Sequence, residues 1–195
     1  LSHEEKLDWL QLSRTPRIGP VTFFQLTNRF ETASAALKAL PTLNKRGKAG
    51  APKPPPRDDV EQEYEAIRAY GADIICACED IYPTRLAACG APPPVLSVLG
   101  DTDLLNRQAL AIVGARDASA AGRKMARDIA SQIGLNHYVI VSGLARGIDG
   151  EVHAASLQTG TIAVLGGGID HIYPPQHERL YAKIAANGLI VSESP

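Results

Sequence analysis

The sequence predicts an α/β fold: a doubly wound parallel sheet preceded by a small all-α domain. Three observations carry the prediction. From Ala109 onward, short runs of Val, Ile, Leu and Ala alternate with helical patterns. Each run ends in a turn containing Gly or Ser. Ahead of residue 58 the apolar residues recur only at helical spacing. Near-continuous apolar strands alternating with helices belong to a parallel sheet covered on both faces. Right-handed crossovers then place every strand's C-terminus on one edge.

The helical part comes first. Leu7, Leu10 and Gln11 open an amphipathic helix, with Trp9 and Leu12 beside it. Arg17-Ile18-Gly19-Pro20-Val21 makes a tight turn into a second helix, whose apolar positions are Val21, Phe24, Leu26 and Phe30. A third helix spans Ala33 to Leu40 and stops at Pro41. Lys45 to Arg57 is rich in Gly, Pro and Lys and reads as an extended linker. The domains are therefore 1–44, helical; 45–57, linker; and 58–195, the α/β part.

Asp58 is positioned to cap a helix with Glu61 as its capping-box partner, and Gly71 ends that helix. Ala72–Ala77 and Val95–Leu99 are strands, with Tyr82 and Pro83 packing between them. The regular part has strands Ala109–Val113, Tyr138–Ser142, Thr161–Leu165 and Leu189–Val191. Its helices are Ser119–Ile133, Asp149–Thr159 and Gln176–Asn187. Gly160 and Gly188 follow helices, where a left-handed residue is expected.

Composition narrows the class. The chain has 195 residues, 45% hydrophobic and 21% charged, which suits a packed core rather than disorder. No apolar run is long enough for a membrane span, and Leu1–Leu12 is too charged for a signal peptide. Cys76, Cys78 and Cys89 read as reduced thiols of a cytoplasmic protein, buried as small hydrophobes, with no second ligand pair for a metal. The net charge of −1 hides an asymmetry. Residues 1–57 carry 10 basic and 4 acidic side chains, residues 58–108 carry 3 and 10, and the remainder carries 7 and 7. Lys45, Arg46, Lys48, Lys53 and Arg57 make up most of the basic excess, the signature of either a nucleic-acid contact or a solvated linker.

The site follows from topology. The segments after the four strands are Gly114-Ala115-Arg116, Ser142 to Gly147 (S-G-L-A-R-G), Gly166-Gly167-Gly168 and Ser192-Glu193-Ser194. All lie along the edge where doubly wound sheets bind ligands. Glycines admit close backbone approach, and Arg116 and Arg146 supply planar, permanently charged forks for phosphate oxygens. Ser119 caps the helix after the first turn, whose N-terminal amides and dipole favour an anion.

Several chemistries are disfavoured. A dinucleotide site needs G-x-G-x-x-G and an acid after the second strand; here Arg116 replaces the second glycine and Ser142-Gly143 ends the second strand. No P-loop motif occurs. Asp117, Asp149, Asp170 and Glu193 stand on the rim as acid–base or Mg²⁺ candidates, but Asp149 is equally placed as a helix cap. His153 reads as a hydrogen-bonded core histidine. Tyr138 and Tyr173 are the nearest aromatics available for stacking.

These residues also carry a resemblance. A-I-V-G-A-R at 111–116, V-S-G-L-A-R-G-I-D at 141–149, H-A-A at 153–155, T-I-A-V-L-G at 161–166, I-Y-P at 172–174 and S-E-S-P at 192–195 resemble the bacterial DNA-processing protein family DprA, also called Smf. The match runs in order over residues 58–195. The helices around Arg17 and Gly19 are similar to the SAM-like, helix-hairpin-helix domain that precedes the core in many members, whose turn amides meet DNA phosphates.

The resemblance implies an extended Rossmann-like core that binds single-stranded DNA. It also implies protection of incoming DNA and loading of the RecA recombinase during natural transformation and recombination. A homodimer, no catalytic activity and no cofactor are implied as well. Its DNA pocket falls here on Gly114, Ala115 and Arg116, with Ser142, Gly143, Leu144, Ala145, Arg146 and Gly147 on the same rim and Gly166 and Gly167 bordering it; Arg17 and Gly19 form a secondary contact.

Three departures stand out. Ala115 replaces the usual Ser, Gly150 and Glu151 stand where larger or apolar residues are commoner, and the family core extends beyond Pro195 with further strands. The alternative is a nucleotide phosphoribohydrolase of the LOG type, which shares a Gly-rich phosphate cradle, but its P-G-G-x-G-T-x-x-E run is absent. A protein-binding adaptor using the acidic 58–108 segment is a third reading.

Overall fold

The structure, a computed structural model, describes residues 1–43 and 51–194. Lys45, Arg46 and Lys48 of the expected linker, and Pro195 of the last motif, lie outside the described residues. The chain divides into two compact units, Leu1–Ala69 with Ile74–Leu96, and Tyr70–Asp73 with Ser97–Pro195.

In the first unit, α1 (His3–Ser13) opens on a capping box: the Ser2 hydroxyl accepts from the Glu5 amide, and the Glu5 carboxylate accepts from the Ser2 amide. α2 (Pro20–Phe30) starts on Gly19, with Pro20 in its first turn. α3 (Ala33–Ala39) is capped by the Thr32 hydroxyl, which accepts from the Ala35 amide at 3.1 Å. Leu12, Ile18, Phe23, Leu26, Ala33, Ala36 and Leu40 form their common core. This corrects the apolar face expected for α2. Phe23 is fully buried against Trp9, ring centroids 4.9 Å apart, whereas Val21 at the helix start is 54% exposed.

α4 (Arg57–Ala69) belongs to the helical unit, not to the α/β part that was expected to begin at residue 58. Arg57 reaches Asp8 at 2.8 Å and Glu4 at 2.6 Å, and Arg14 holds Glu63 at 2.9 Å. Asp58 is the second residue of this helix rather than its cap. β1 (Asp73–Cys76), α5 (Thr84–Ala87) and β2 (Val95–Gly100) follow. Tyr82 is buried, its hydroxyl donating to the Pro93 carbonyl at 2.7 Å. Of the three thiols only Cys76 is buried; Cys78 and Cys89 are exposed, contrary to expectation.

In the second unit, β3 (Ala109–Ala111), α6 (Ala120–Leu135), β4 (Val139–Ser142), α7 (Ile148–Ser156), β5 (Thr161–Leu165), α8 (Glu178–Asn187) and β6 (Leu189–Ser192) alternate as predicted. The sheet order is β1-β2-β6-β5-β4-β3. β3, β4, β5 and β6 are mutually parallel, so their C-termini share one edge. β2 meets β6 antiparallel, with Ser97 opposite Ser192. β3 stops two residues early, although the Ile112 amide still donates to the Val141 carbonyl at 2.9 Å. Ala126 and Ala130 of α6 and Val152 of α7 pack with Ile140 of β4. The small alanines bring both helices onto the sheet.

Gly160 takes the left-handed conformation, φ +120°. Gly188 does not, with φ −145°. It is glycine for another reason: a Cβ there would lie 2.6 Å from the Thr161 carbonyl oxygen. No described helix is long and apolar enough to cross a membrane.

Candidate nucleic-acid interface

The rim is built by hydrogen bonds that lace the strand ends together. The Ser142 hydroxyl, at the end of β4, donates to the Ile112 carbonyl at 2.7 Å. The Ser192 hydroxyl, at the end of β6, donates to the Gly167 carbonyl at 2.5 Å. The first two turns also meet backbone to backbone. A Cβ on Gly147 would lie 2.2 Å from the Ala115 carbonyl oxygen and 2.6 Å from that of Arg116. The Ile148 amide donates to the Ala115 carbonyl at 3.2 Å. These glycines therefore serve the approach of one turn to the other.

The turns that carry Arg116 and Arg146 are thereby joined backbone to backbone. Arg116 and Arg146 are both exposed, as are Gly114, Ala115, Ser119, Gly143 and Gly166, with Ala145, Gly147 and Gly167 half-buried. Gly166 is open, nothing lying within 4 Å of a Cβ built there. Two predicted residues point elsewhere: the Ser142 hydroxyl is spent on Ile112, and the Leu144 side chain is fully buried. Ser142 shapes the rim through that side-chain bond, Leu144 through its backbone. Arg17 and Gly19 are exposed in the α1–α2 turn of the first unit, with Arg17 at φ +69°.

The two helix N-termini on the rim differ in charge. α6 begins at Ser119, whose hydroxyl accepts from the Gly122 amide at 3.1 Å, and has no acid in its first turn. Its N-terminal amides and dipole favour an anion, with the exposed Asp117 two residues ahead of the cap. α7 carries Asp149 and Glu151 in its first turn. Asp149 is not the cap expected from sequence; Gly147 holds that position. The buried Asp149 carboxylate instead accepts from the amides of Gly143 at 3.1 Å and Ala145 at 3.3 Å. Glu151 pairs with Arg127 at 2.5 Å, which accounts for its place in this chain. Asp117, Asp170 and Glu193 are exposed. Among the described residues no group of three or more His, Cys, Asp and Glu side chains is arranged to hold a metal ion.

His153 sits behind this wall, fully buried, its Nδ1 2.7 Å from the Thr161 hydroxyl. Burial pushes the imidazole down to about 4, against the upward pull of the Asp149 charge and the Ser142 backbone. It is neutral and structural, as its sequence position suggested. Tyr173, 57% exposed, follows β5 toward the rim edge; Tyr138 precedes β4 and lies at the opposite edge. The one rim partner missed from sequence is His177, whose Nδ1 lies 2.9 Å from the Leu144 carbonyl. No local pattern marks it, because its target is 33 residues away.

The strand ends of β3 to β6 thus carry glycine turns, two exposed arginines, Arg116 and Arg146, and the capped N-terminus of α6. Residues 73–195 match the family model for DNA recombination-mediator protein A, and residues 3–66 match the DprA-like N-terminal HHH domain. The chain belongs to the DNA recombination-mediator protein A family.

Curated relatives include Protein Smf of Synechocystis, 34% identical across all of this chain and 52% of that protein. DNA processing protein DprA of Bacillus subtilis is 36% identical over 71% of this chain and 50% of its own. This chain thus spans about half the length of these relatives. The fold is shared with the X-ray structure of DNA processing protein A from Streptococcus pneumoniae, TM-score 0.69 at 24% identity, covering 99% of this chain and 68% of that one. A structure of DNA processing protein A from Helicobacter pylori, described for its unique single-stranded DNA binding mode, aligns at TM-score 0.57 and 32% identity, over 63% of this chain and 55% of that one.

Proposed function

We propose that the rim of β3–β6 binds the phosphate backbone of single-stranded DNA. The observation that carries this reading is the joined pair of turns, which carry the exposed Arg116 and Arg146 and of which the first leads into the capped α6. A permanent guanidinium and helix amides suit a phosphate ester, and contacts of this kind carry no base information. The single-stranded DNA binding of the Helicobacter pylori relative supports the same chemistry. The whole protein then serves as a DNA-processing mediator rather than an enzyme. It protects incoming single strands and loads the RecA recombinase onto them, acting as a cytoplasmic homodimer. The Arg17–Gly19 turn is a secondary DNA contact.

Equilibrium binding to labelled oligonucleotides tests the reading. Mixed-sequence and oligo-dT strands should bind with similar affinity, and Arg116→Ala should weaken both by the same factor. Unchanged affinity in Arg116→Ala defeats the assignment. RecA filament assembly on protected single strands, followed with and without the protein, tests the loading step.

A further inference from the structure

Resting on that reading of the rim, we infer that His177 is a positioning residue for the Gly143–Arg146 turn, and that Gly150 exists to seat its ring. The turn after β4 is conformationally costly. Leu144 is a branched residue in the left-handed region, φ +56°, with its side chain fully buried. Such a conformation persists only when its surroundings fix it.

Three backbone groups of the turn are pinned. Asp149 takes the amides of Gly143 and Ala145. The carbonyl between them, on Leu144, accepts from His177 Nδ1 at 2.9 Å. A carbonyl has no proton to give, so Nδ1 carries the hydrogen. With the turn held at three points, Arg146 stays exposed, and the next residue, Gly147, lies against the Arg116 backbone.

The ring needs room, and α7 provides it at Gly150. A Cβ there would lie 2.6 Å from His177 Cε1 and 2.9 Å from Nε2, too close for either atom. Any side chain at this position would meet the His177 ring, so a glycine here leaves the ring its place. The two residues act as a unit: ring and vacancy are matched.

The pair makes a test that separates positioning from mere stability. An asparagine carries its amide nitrogen where imidazole carries Nδ1, one bond beyond Cγ, but lacks Cε1 and Nε2. Single-stranded DNA affinity is measured for the full chain and for His177→Ala, His177→Asn, Gly150→Ala, Gly150→Ala/His177→Asn and Arg146→Ala. His177→Ala and Gly150→Ala should each bind about five- to tenfold more weakly, the scale of one lost hydrogen bond. His177→Asn should stay within about twofold of the parent, and the double variant should recover that affinity.

Hydrogen exchange at the Gly143 and Ala145 amides should rise in His177→Ala and not in His177→Asn. This readout does not depend on DNA. Loss in Arg146→Ala without loss in His177→Ala or Gly150→Ala overturns the positioning role, as does failure of the double variant to recover. If Arg146→Ala itself binds normally, the phosphate reading fails instead, while the exchange result still decides whether His177 pins the turn.

Discussion

At the scale of single residues, burial decides which polar groups serve the surface and which serve the interior. Ser142 and Leu144 lie within the most distinctive motif of the chain, yet both are turned inward. Arg116 and Arg146 face solvent. Sequence spacing puts all of them at or just after the ends of strands that run parallel, but nothing in the spacing tells a hydroxyl that bonds Ile112 from one left for a ligand. His153 gives a residue-scale prediction. Its Nε2 has no hydrogen-bond partner among the described residues, and its imidazole is held down to about 4. An unfolded histidine titrates near 6.5, so the unfolded chain takes up the proton first as pH falls. Stability from this group is therefore fully present above about pH 6.5 and is lost between there and about pH 4, on the order of 3 kcal/mol. Thermal or urea denaturation across that range checks it. His153→Gln, which keeps a partner for Thr161, should flatten the slope; an identical slope in both proteins contradicts the assignment.

At the scale of elements, the regular half was legible because each helix and strand there declares itself locally. Apolar runs of the right length, Ser119 as a cap and Gly160 as a stop all point the same way. Where tertiary contact decides, sequence misled. α4 looked like the first element of the α/β part, but Arg57, Arg14 and Glu63 fasten it to α1 through contacts about 50 residues apart in the chain, beyond the reach of a local pattern. Spacing alone sets the apolar face of α2 on Val21, Phe24, Leu26 and Phe30, because a valine at a helix start fits the pattern whether it is buried or exposed. Phe23→Ala should cost about 3–5 kcal/mol, since it empties a fully buried ring site. Val21→Ala should cost less than about 0.5 kcal/mol, as expected of an exposed position. Urea titration of the two variants checks both; equal losses contradict the core described here. Gly188→Ala should destabilise β6 by forcing a methyl group against the Thr161 carbonyl.

At the scale of the whole molecule, charge is partitioned rather than balanced. The net charge of −1 conceals a balanced stretch from residue 109 onward, with 7 basic and 7 acidic side chains, two of the basic ones being Arg116 and Arg146. Single-stranded DNA held at such a surface would gain affinity from released counterions more than from stacking, since aromatic residues are only 5% of the chain. The central claim is that Arg116 and Arg146 each neutralise one phosphate of a single strand. The salt dependence of oligonucleotide binding tests it most directly, comparing the parent chain with Arg116→Ala/Arg146→Ala. The slope of log K against log salt should become shallower by about 1.4, roughly 0.7 for each lost phosphate contact. A slope that stays the same, whatever happens to the affinity, contradicts the account.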